Sequence, residues 1–236
     1  MVLASQCSRL WSWAESDDIN RGRRPLRAAP HVEKHPVKIT SDNFKQGDFI
    51  PEALAWGRIG EDGSTVRSTN LNPQLSWTDA PEGTASFVLA CLDDDVPTDL
   101  AERDASGEIP VSQPRRRFVH WVQPNCPADV TSIAEGALAE ERKTTPGFGA
   151  VCINDYSRGG TPAPGETGTG YDGPCPPFFD ARWHYYRFMV FALDAPRLEL
   201  PENATWQDVD AAMKGHVLAS AELVGRYTLN PRLAAL

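Results

Sequence analysis

The chain has 236 residues, of which 41% are hydrophobic, and it carries a formal net charge of -9 at pH 7 with a pI near 5.0. This length is enough for a sizeable core, and the acidic balance argues against nucleic acid as a general partner. No stretch approaches the roughly 18 consecutive apolar residues that a membrane-spanning helix needs, so no membrane span is expected.

The first 36 residues are predicted to form an extension or arm that precedes a single domain over residues 37–236. They contain a basic centre, RGRRPLR, and the apolar residues Leu10, Trp11 and Trp13, which could dock on the domain or on a second subunit. No positively charged start leads into a long apolar run, so no signal peptide is predicted. The five cysteines are scattered without a C-x-x-C pair. This spacing argues against a zinc site or a disulfide framework and favours a cytoplasmic location.

Short strands are predicted through the first half of the domain. Val37–Thr40 alternates in polarity, and Asn72–Trp77 gives a second short strand. Ser86–Leu92 is apolar and too short for a helix, which indicates a buried strand. It runs directly into the acidic segment Asp93–Pro97.

Another apolar strand is predicted over Phe118–Val122. The basic run Arg115–Arg117 lies just before it, near prolines, and is interpreted as a solvated loop rather than a binding patch. Two-residue alternation predicts that Phe118, His120 and Val122 share one face of this strand.

The stretch Gly170–Leu193 joins a rigid loop to a buried strand. Gly170–Pro177 contains three prolines and two glycines and cannot be helical. Trp183–Leu193 is apolar or aromatic on both faces, which is typical of a strand inside a sheet. His184 and Tyr186 therefore lie on the same side of this strand. A loop that delivers a polar pair to a strand end often builds a site, although a simple turn with a hydrogen-bonded pair remains the alternative.

The last third of the chain predicts one helix and one strand. Thr205 and Asp208 have the spacing of a capping box. A core-facing helical stripe follows, formed by Trp206, Val209, Met213 and Val217. A final strand is expected over 223–229. Short strands with one late helix indicate a mainly β protein, a sandwich or barrel with a helical appendage.

Polar residues recur at the ends of three predicted strands. Asp93 and Asp95 follow the first, His120 interrupts the second, and His184 and Tyr186 begin the third. Each has a structural interpretation, since turn carboxylates bond backbone N–H groups and a histidine on an apolar strand is often a satisfied core residue.

In this order, the motifs resemble those of the phosphatidylethanolamine-binding protein family, also called the Raf kinase inhibitor-like proteins. DDDVP is similar to the family's DPDAP signature, and HWV is similar to its second block. GYDGPCPP and WHYYRFMVFALD resemble the conserved region that ends in a His-x-Tyr strand. NPQLSW and GHVLASAEL are similar to the bacterial branch. The resemblance spans about residues 37–231.

The resemblance implies a large antiparallel sheet packed on a smaller one, with peripheral helices. It also implies a small rim pocket for a phosphate-type anion or phosphorylated head group, no catalysis and no cofactor. A partner kinase or protease and a homodimer are further implications. Carried over by position, the pocket residues are Asp93, Asp95, Pro97, His120, Pro176, Pro177, His184 and Tyr186.

The chemistry of these side chains is consistent with an anion pocket. Imidazole and phenol groups can donate to phosphate oxygens, and a protonated imidazole adds charge. An Asp that accepts from one imidazole nitrogen fixes the tautomer and leaves the other nitrogen for the ligand.

The chain departs from the family pattern at three places. Asp94 replaces a proline, residues 178–182 replace a shorter link, and Tyr185 stands where arginine is usual, with Arg182 or Arg187 as candidates to compensate. These changes affect the expected ligand more than the expected pocket.

Two other functions are open at this stage. The same His and Asp residues could form a mononuclear metal site in a hydrolase, although no H-x-x-x-H pair supports it. An assembly protein with a vestigial pocket is the other alternative.

Overall fold

A computed structural model describes residues 37–138, 152–157 and 168–235. Within these ranges the chain is mostly β-strand with two short α-helices, which confirms the mainly β prediction. The predicted arm over residues 1–36, with Leu10, Trp11 and Trp13, lies outside the described residues. No helix in the described part of the chain is both long and apolar enough to cross a membrane.

The strands fall into two antiparallel sheets and a separate hairpin. The described strands are β1 (Lys38–Thr40), β2 (Gly57–Ile59), β3 (Thr65–Arg67), β4 (Leu75–Thr78), β5 (Ser86–Pro97), β6 (Arg115–Pro127), β7 (Ser132–Ile133), β8 (His184–Leu193) and β9 (Val217–Tyr227). The large sheet has the order β6-β5-β8-β9, the small sheet has the order β1-β4-β7, and β2 pairs with β3. The helices are α1 (Trp206–Met213) and α2 (Pro231–Ala234), and a 3-10 turn covers Glu52–Leu54.

Both faces of the large sheet are covered, which is why β5 and β8 are apolar on both sides. One buried cluster contains Trp77, Phe87 and Phe188 and joins the two sheets. A second cluster contains Val88, Val122 and Val209, between the large sheet and α1. Side chains on both faces of one strand are therefore buried, so the strand does not alternate between apolar and polar residues as a half-exposed strand does.

Three register shifts interrupt the pairing of β5 with β6, and two of them are bulges next to the site described below. Cys91 pairs with Trp121 and the next residue of β5 pairs with Val119, so His120 is an extra residue in β6. His120 lines the site described below and its neighbour Trp121 lies in the inter-sheet cluster, whereas Val122 packs in the cluster under α1. The prediction that Val122 shares a face with His120 was therefore wrong, because a bulge shifts the alternation by one residue.

The second bulge lies in the acidic segment. Asp93 pairs with Phe118 and Val96 pairs with Arg116, so two residues of β5, Asp94 and Asp95, lie opposite one residue of β6. The acidic segment is thus part of β5 instead of following it.

Three other sequence predictions can be compared with the structure. The capping box at Thr205 is present, and α1 begins where it was expected. Val217 lies in β9 and not on the helix, because the chain turns at Gly215, whose φ is 86°. The basic run Arg115–Arg117 was predicted to be a loop but begins β6, where its cross-strand neighbours lie in the acidic segment of β5.

Candidate functional site

A cleft of about 150 Å³ lies at one end of the large sheet, where β5, β6 and β8 meet the segment 175–177. It is called the rim cleft below. Six of the eight predicted pocket residues line it, namely Asp93, His120, Pro176, Pro177, His184 and Tyr186. The other lining residues are Val96, Leu100, Arg116, Phe118, Tyr156 and Cys175. Asp95 and Pro97 are not among its lining residues.

His184 is held on both sides by carboxylates. Its Nδ1 lies 2.7 Å from Oδ2 of Asp93, and its Nε2 lies 3.0 Å from Oδ2 of Asp180. Burial alone would lower the pKa of His184, but the two carboxylates outweigh it and raise the pKa to about 9. A charged imidazole must donate from both nitrogens, so neither ring nitrogen of His184 is available to a ligand. The expectation that one nitrogen stays free therefore does not hold at His184.

Asp180 is fixed from several directions. Arg115 donates to both of its carboxylate oxygens, at 2.5 Å and 3.1 Å, in a pair that is almost fully buried. Asn230, at the start of α2, donates to the Asp180 backbone carbonyl at 2.9 Å. Burial would raise the pKa of Asp180, but its hydrogen bonds to His184 and Arg115 lower it. The segment that departs from the family pattern thus supplies the second carboxylate on His184.

His120 has a different hydrogen-bond state. Its Nδ1 lies 2.7 Å from the backbone carbonyl of Asp172, which can only accept, so Nδ1 carries the hydrogen. Its ring is enclosed by Phe118, Tyr156 and Tyr186, whose ring centroids lie 5.0, 5.8 and 5.1 Å from its own. 

Burial lowers the pKa of His120 and outweighs the attraction of Asp93. His120 is therefore a neutral ring whose Nε2 accepts, and no described residue donates to that nitrogen.

The bulge at His120 also fastens the loops beside the cleft. The backbone carbonyl of His120 accepts from the Asp172 N–H at 3.1 Å and from the Asn154 side chain at 3.3 Å. Asn154 also donates to Asp172 Oδ2 at 2.7 Å, which joins the segments 152–157 and 168–177. These contacts place Tyr156 and the two prolines of the cleft against β6.

The hydroxyl of Tyr186 is a buried donor with no hydrogen-bond partner among the described residues. The residue itself is fully buried and lines the rim cleft. Burying an unbonded hydroxyl costs about 1–3 kcal/mol, so it marks a position where a partner is expected.

Arg116 is the exposed cation of the rim cleft. Its neighbours Arg115 and Arg117 pair with Asp180 and Asp94, whereas no carboxylate of the described residues pairs with Arg116. Its guanidinium lies 5.6 Å from the centre of the Phe118 ring. Cys175 is a half-buried lining residue, and burial raises the pKa of its thiol to about 11, so this side chain stays an uncharged thiol at neutral pH.

The acidic residues that do not line the cleft are balanced by arginines. Asp94 pairs with Arg117 at 2.6 Å and with Arg187 at 3.1 Å, which lowers the pKa of Asp94. Asp95 pairs with Arg182 at 2.9 Å and accepts the Tyr185 N–H at 3.0 Å. Asp94 therefore adds little net charge near the cleft, and Arg182 and Arg187 are engaged outside it.

The donor set does not fit the metal-site alternative. A zinc-type centre needs three or four deprotonated N, O or S ligands that converge on one point. Both nitrogens of His184 and Nδ1 of His120 are already hydrogen-bonded. The described ranges contain no group of three His, Cys, Asp or Glu side chains arranged to hold a metal ion.

Sequence reasoning did not identify Asn154, Tyr156, Asp180 or Arg116 as site residues. Tyr156 and Asn154 lie in a region without clear periodicity, so no local pattern marked them. Asp180 lay in a segment flagged only as a departure from the family pattern. Arg116 could have been found from its alternation with Phe118 and His120, had the strand been extended to include it.

Comparisons with known proteins identify relatives over most of the chain. The family model of the phosphatidylethanolamine-binding proteins matches residues 40–228. The UPF0098 protein YbhB of Escherichia coli K12 is 33% identical over 192 residues, which cover 81% of this chain and 100% of YbhB. A UPF0098 protein of Aquifex aeolicus is 31% identical over 193 residues, covering 81% of this chain and 88% of that protein.

Solved structures show the same similarity. E. coli YbcL, described as a new member of the mammalian phosphatidylethanolamine-binding protein family, matches with a TM-score of 0.61 at 26% identity, covering 82% of this chain and 99% of YbcL. A homolog of that family from Chlamydia trachomatis matches with a TM-score of 0.57 at 28% identity, covering 81% of this chain and 97% of that chain.

Proposed function

This chain belongs to the phosphatidylethanolamine-binding protein family, and from that membership we propose that it is a non-catalytic binding protein whose rim cleft takes up phosphate or a phosphorylated head group. Occupation of the cleft would then be the signal by which the protein modulates a partner kinase or protease.

One observation carries the proposal. The Tyr186 hydroxyl is a buried donor without a partner in the described ranges. It lines the same small cleft as His120 and as Arg116, a cation that no carboxylate of the described residues pairs with. A hydroxyl donor, an imidazole nitrogen and a guanidinium around about 150 Å³ suit a compact oxyanion. The proline walls keep the cleft small and lose little entropy on binding.

The states of His184 and Cys175 support binding over catalysis. A general base needs a free nitrogen with a pKa near the working pH. His184 offers no free nitrogen, since Asp93 and Asp180 occupy both. Cys175 is held as a thiol, because burial raises its pKa to about 11.

The test is a titration of inorganic phosphate and phosphoethanolamine into the full chain, followed by the histidine side-chain NMR resonances. We expect a saturable shift at His120 and a loss of at least about tenfold in affinity in His120→Ala, since a hydrogen bond to a charged group contributes about 1.5–3 kcal/mol. The matched control is His216→Ala, because His216 is exposed and pairs with Asp194 at 2.8 Å, away from the cleft residues.

The choice of His120 follows from its contacts. His184→Ala would leave Asp93 and Asp180 buried without their shared partner, so loss of binding could reflect unfolding. If His120→Ala and His216→Ala bound both probes as tightly as the unsubstituted chain, the assignment of the rim cleft would be wrong.

A further inference from the structure

The buried charged cluster around His184, on one side of the rim cleft, is electrically balanced. Two buried carboxylates, Asp93 and Asp180, face two buried cations, His184 and Arg115. Arg116 at the edge of the cleft is then the single lining cation without a carboxylate partner among the described residues. A ligand with one negative charge would be matched by Arg116, whereas a second charge would lie near Asp93 without compensation.

The hydrogen-bond polarity of the cleft is mixed. Tyr186 contributes a donor, but the neutral His120 ring contributes an acceptor at Nε2, because its single hydrogen is committed to the Asp172 carbonyl. An oxyanion with only acceptor oxygens would place one of them against the lone pair of Nε2. A ligand that keeps one acidic O–H can instead donate to Nε2 and accept from Tyr186 and Arg116.

The surroundings of His120 favour its neutral state. Desolvation acts on a ring that lies among Phe118, Tyr156 and Tyr186. The charged and titratable groups that face it are Asp93 from β5, Arg116 from β6, Tyr156 and Asp172 from the adjoining loops, Cys175, and His184 and Tyr186 from β8. Asp93 already shares its charge with His184, so its attraction for a proton on His120 is reduced.

We propose that the rim cleft selects a singly charged oxyanion that retains one acidic O–H, such as monoprotonated phosphate or the monoanion of a phosphomonoester. This inference rests on the proposed function and specifies the ligand of the same cleft. It separates two sources of the same chemistry, because a phosphomonoester head group can carry a P–O–H and a phosphodiester, the linkage in an intact phospholipid, cannot. Sulfate at neutral pH also lacks an O–H.

The experiment compares four probes at pH 6, where a phosphomonoester with a second pKa of about 6 is about half monoanion. The probes are inorganic phosphate, phosphoethanolamine, glycerophosphoethanolamine and sulfate. Dissociation constants come from calorimetry, and the protonation of both His120 nitrogens comes from 15N chemical shifts. We expect phosphate and phosphoethanolamine to bind at least about tenfold more tightly than sulfate and the diester, with His120 Nε2 remaining unprotonated in the complex.

Removal of the Arg116 charge tests whether this residue matches the single negative charge of the ligand. Arg116→Gln should weaken phosphate and phosphoethanolamine binding about tenfold and should reduce the salt dependence of binding. Arg197→Gln is the control, because Arg197 is an exposed arginine that does not line the rim cleft.

The outcomes separate the two proposals. If phosphate binds but sulfate and the diester bind within threefold of it, or if His120 carries hydrogens on both nitrogens in the complex, the inference is overturned and the proposed function stands. If none of the four probes shifts the His120 resonances, both are overturned.

Discussion

Removal of one oxygen atom, in Tyr186→Phe, should separate ligand binding from stability. The Tyr186 ring stays in contact with His120 and stacks 6.5 Å from His184, and phenylalanine keeps both contacts. What is lost is a hydroxyl that is buried and has no partner in the described part of the chain. We therefore expect folding to tolerate the change and binding to suffer from it.

The expected effects of Tyr186→Phe on stability and on phosphate affinity have opposite signs. Because a buried, unsatisfied hydroxyl costs about 1–3 kcal/mol, Tyr186→Phe should leave the free energy of unfolding unchanged or raise it by about 1 kcal/mol. A hydrogen bond to a charged acceptor contributes about 1.5–3 kcal/mol, so the same change should raise the dissociation constant for phosphate about 10- to 150-fold.

The assay pairs urea denaturation with phosphate titration on the same samples. The control is Tyr227→Phe, because the Tyr227 hydroxyl donates to the Gly57 carbonyl at 2.9 Å and does not line the rim cleft. The control should lose about 1 kcal/mol of stability and keep its phosphate affinity. If Tyr186→Phe were destabilised as much as the control, or bound phosphate as well as the unsubstituted chain, the reasoning about this hydroxyl would be refuted.

Two further predictions concern the frame of the cleft. The pKa of His184 is raised from its ordinary 6.5 to about 9. Its charged state should therefore add about 3 kcal/mol to the free energy of unfolding below pH 6.5, and this contribution should be lost as the pH rises to 9. Urea midpoints between pH 6 and 10 should therefore fall, and a flat profile would contradict the paired state of His184. A Cβ at Gly173 would lie 2.1 Å from the Leu54 carbonyl oxygen, so Gly173→Ala should cost at least about 2 kcal/mol. Gly83→Ala is the control, because a Cβ at Gly83 would contact nothing and only the φ of 88° is unfavourable, so the same denaturation assay should show a cost of about 1 kcal/mol. Equal costs for the two variants would argue against the close approach at Gly173.

Much of the fold could be predicted because its signals are local. The apolar runs that became β5 and β8 and the capping box of α1 depend on neighbouring residues, and each led to the correct type of element. Strand ends were less accessible to sequence reasoning. The polar ends of β5 and β6 stay in the sheet because Asp94 pairs with Arg117 across the two strands, while Asp93, Asp95 and Arg115 pair with side chains of the segment 180–184. Alternation within one strand does not reveal these pairings.

The candidate site was only partly predictable, because its hydrogen-bond states depend on contacts between distant parts of the chain. His184 and Asp93 were recognised as candidates from their motifs. The second carboxylate on His184 comes from Asp180, and Asp180 is fixed by Arg115, which lies 65 residues earlier. With carboxylates on both ring nitrogens, His184 is a buried charge instead of a donor to a ligand, and no short sequence motif predicts this. The bulge at His120 is equally invisible to a strict two-residue pattern.

The bulge at His120 has a consequence for the edge of the large sheet. In a regular ladder, the carbonyl of this residue would be a rung between β5 and β6, but here it accepts from Asp172 and Asn154. The adjoining loop also donates from the Asp155 N–H to the Val119 carbonyl at 3.0 Å. The loops beside the cleft therefore cover part of β6, which is an edge strand of the large sheet. A covered edge strand offers fewer unpaired backbone groups to a strand of another chain.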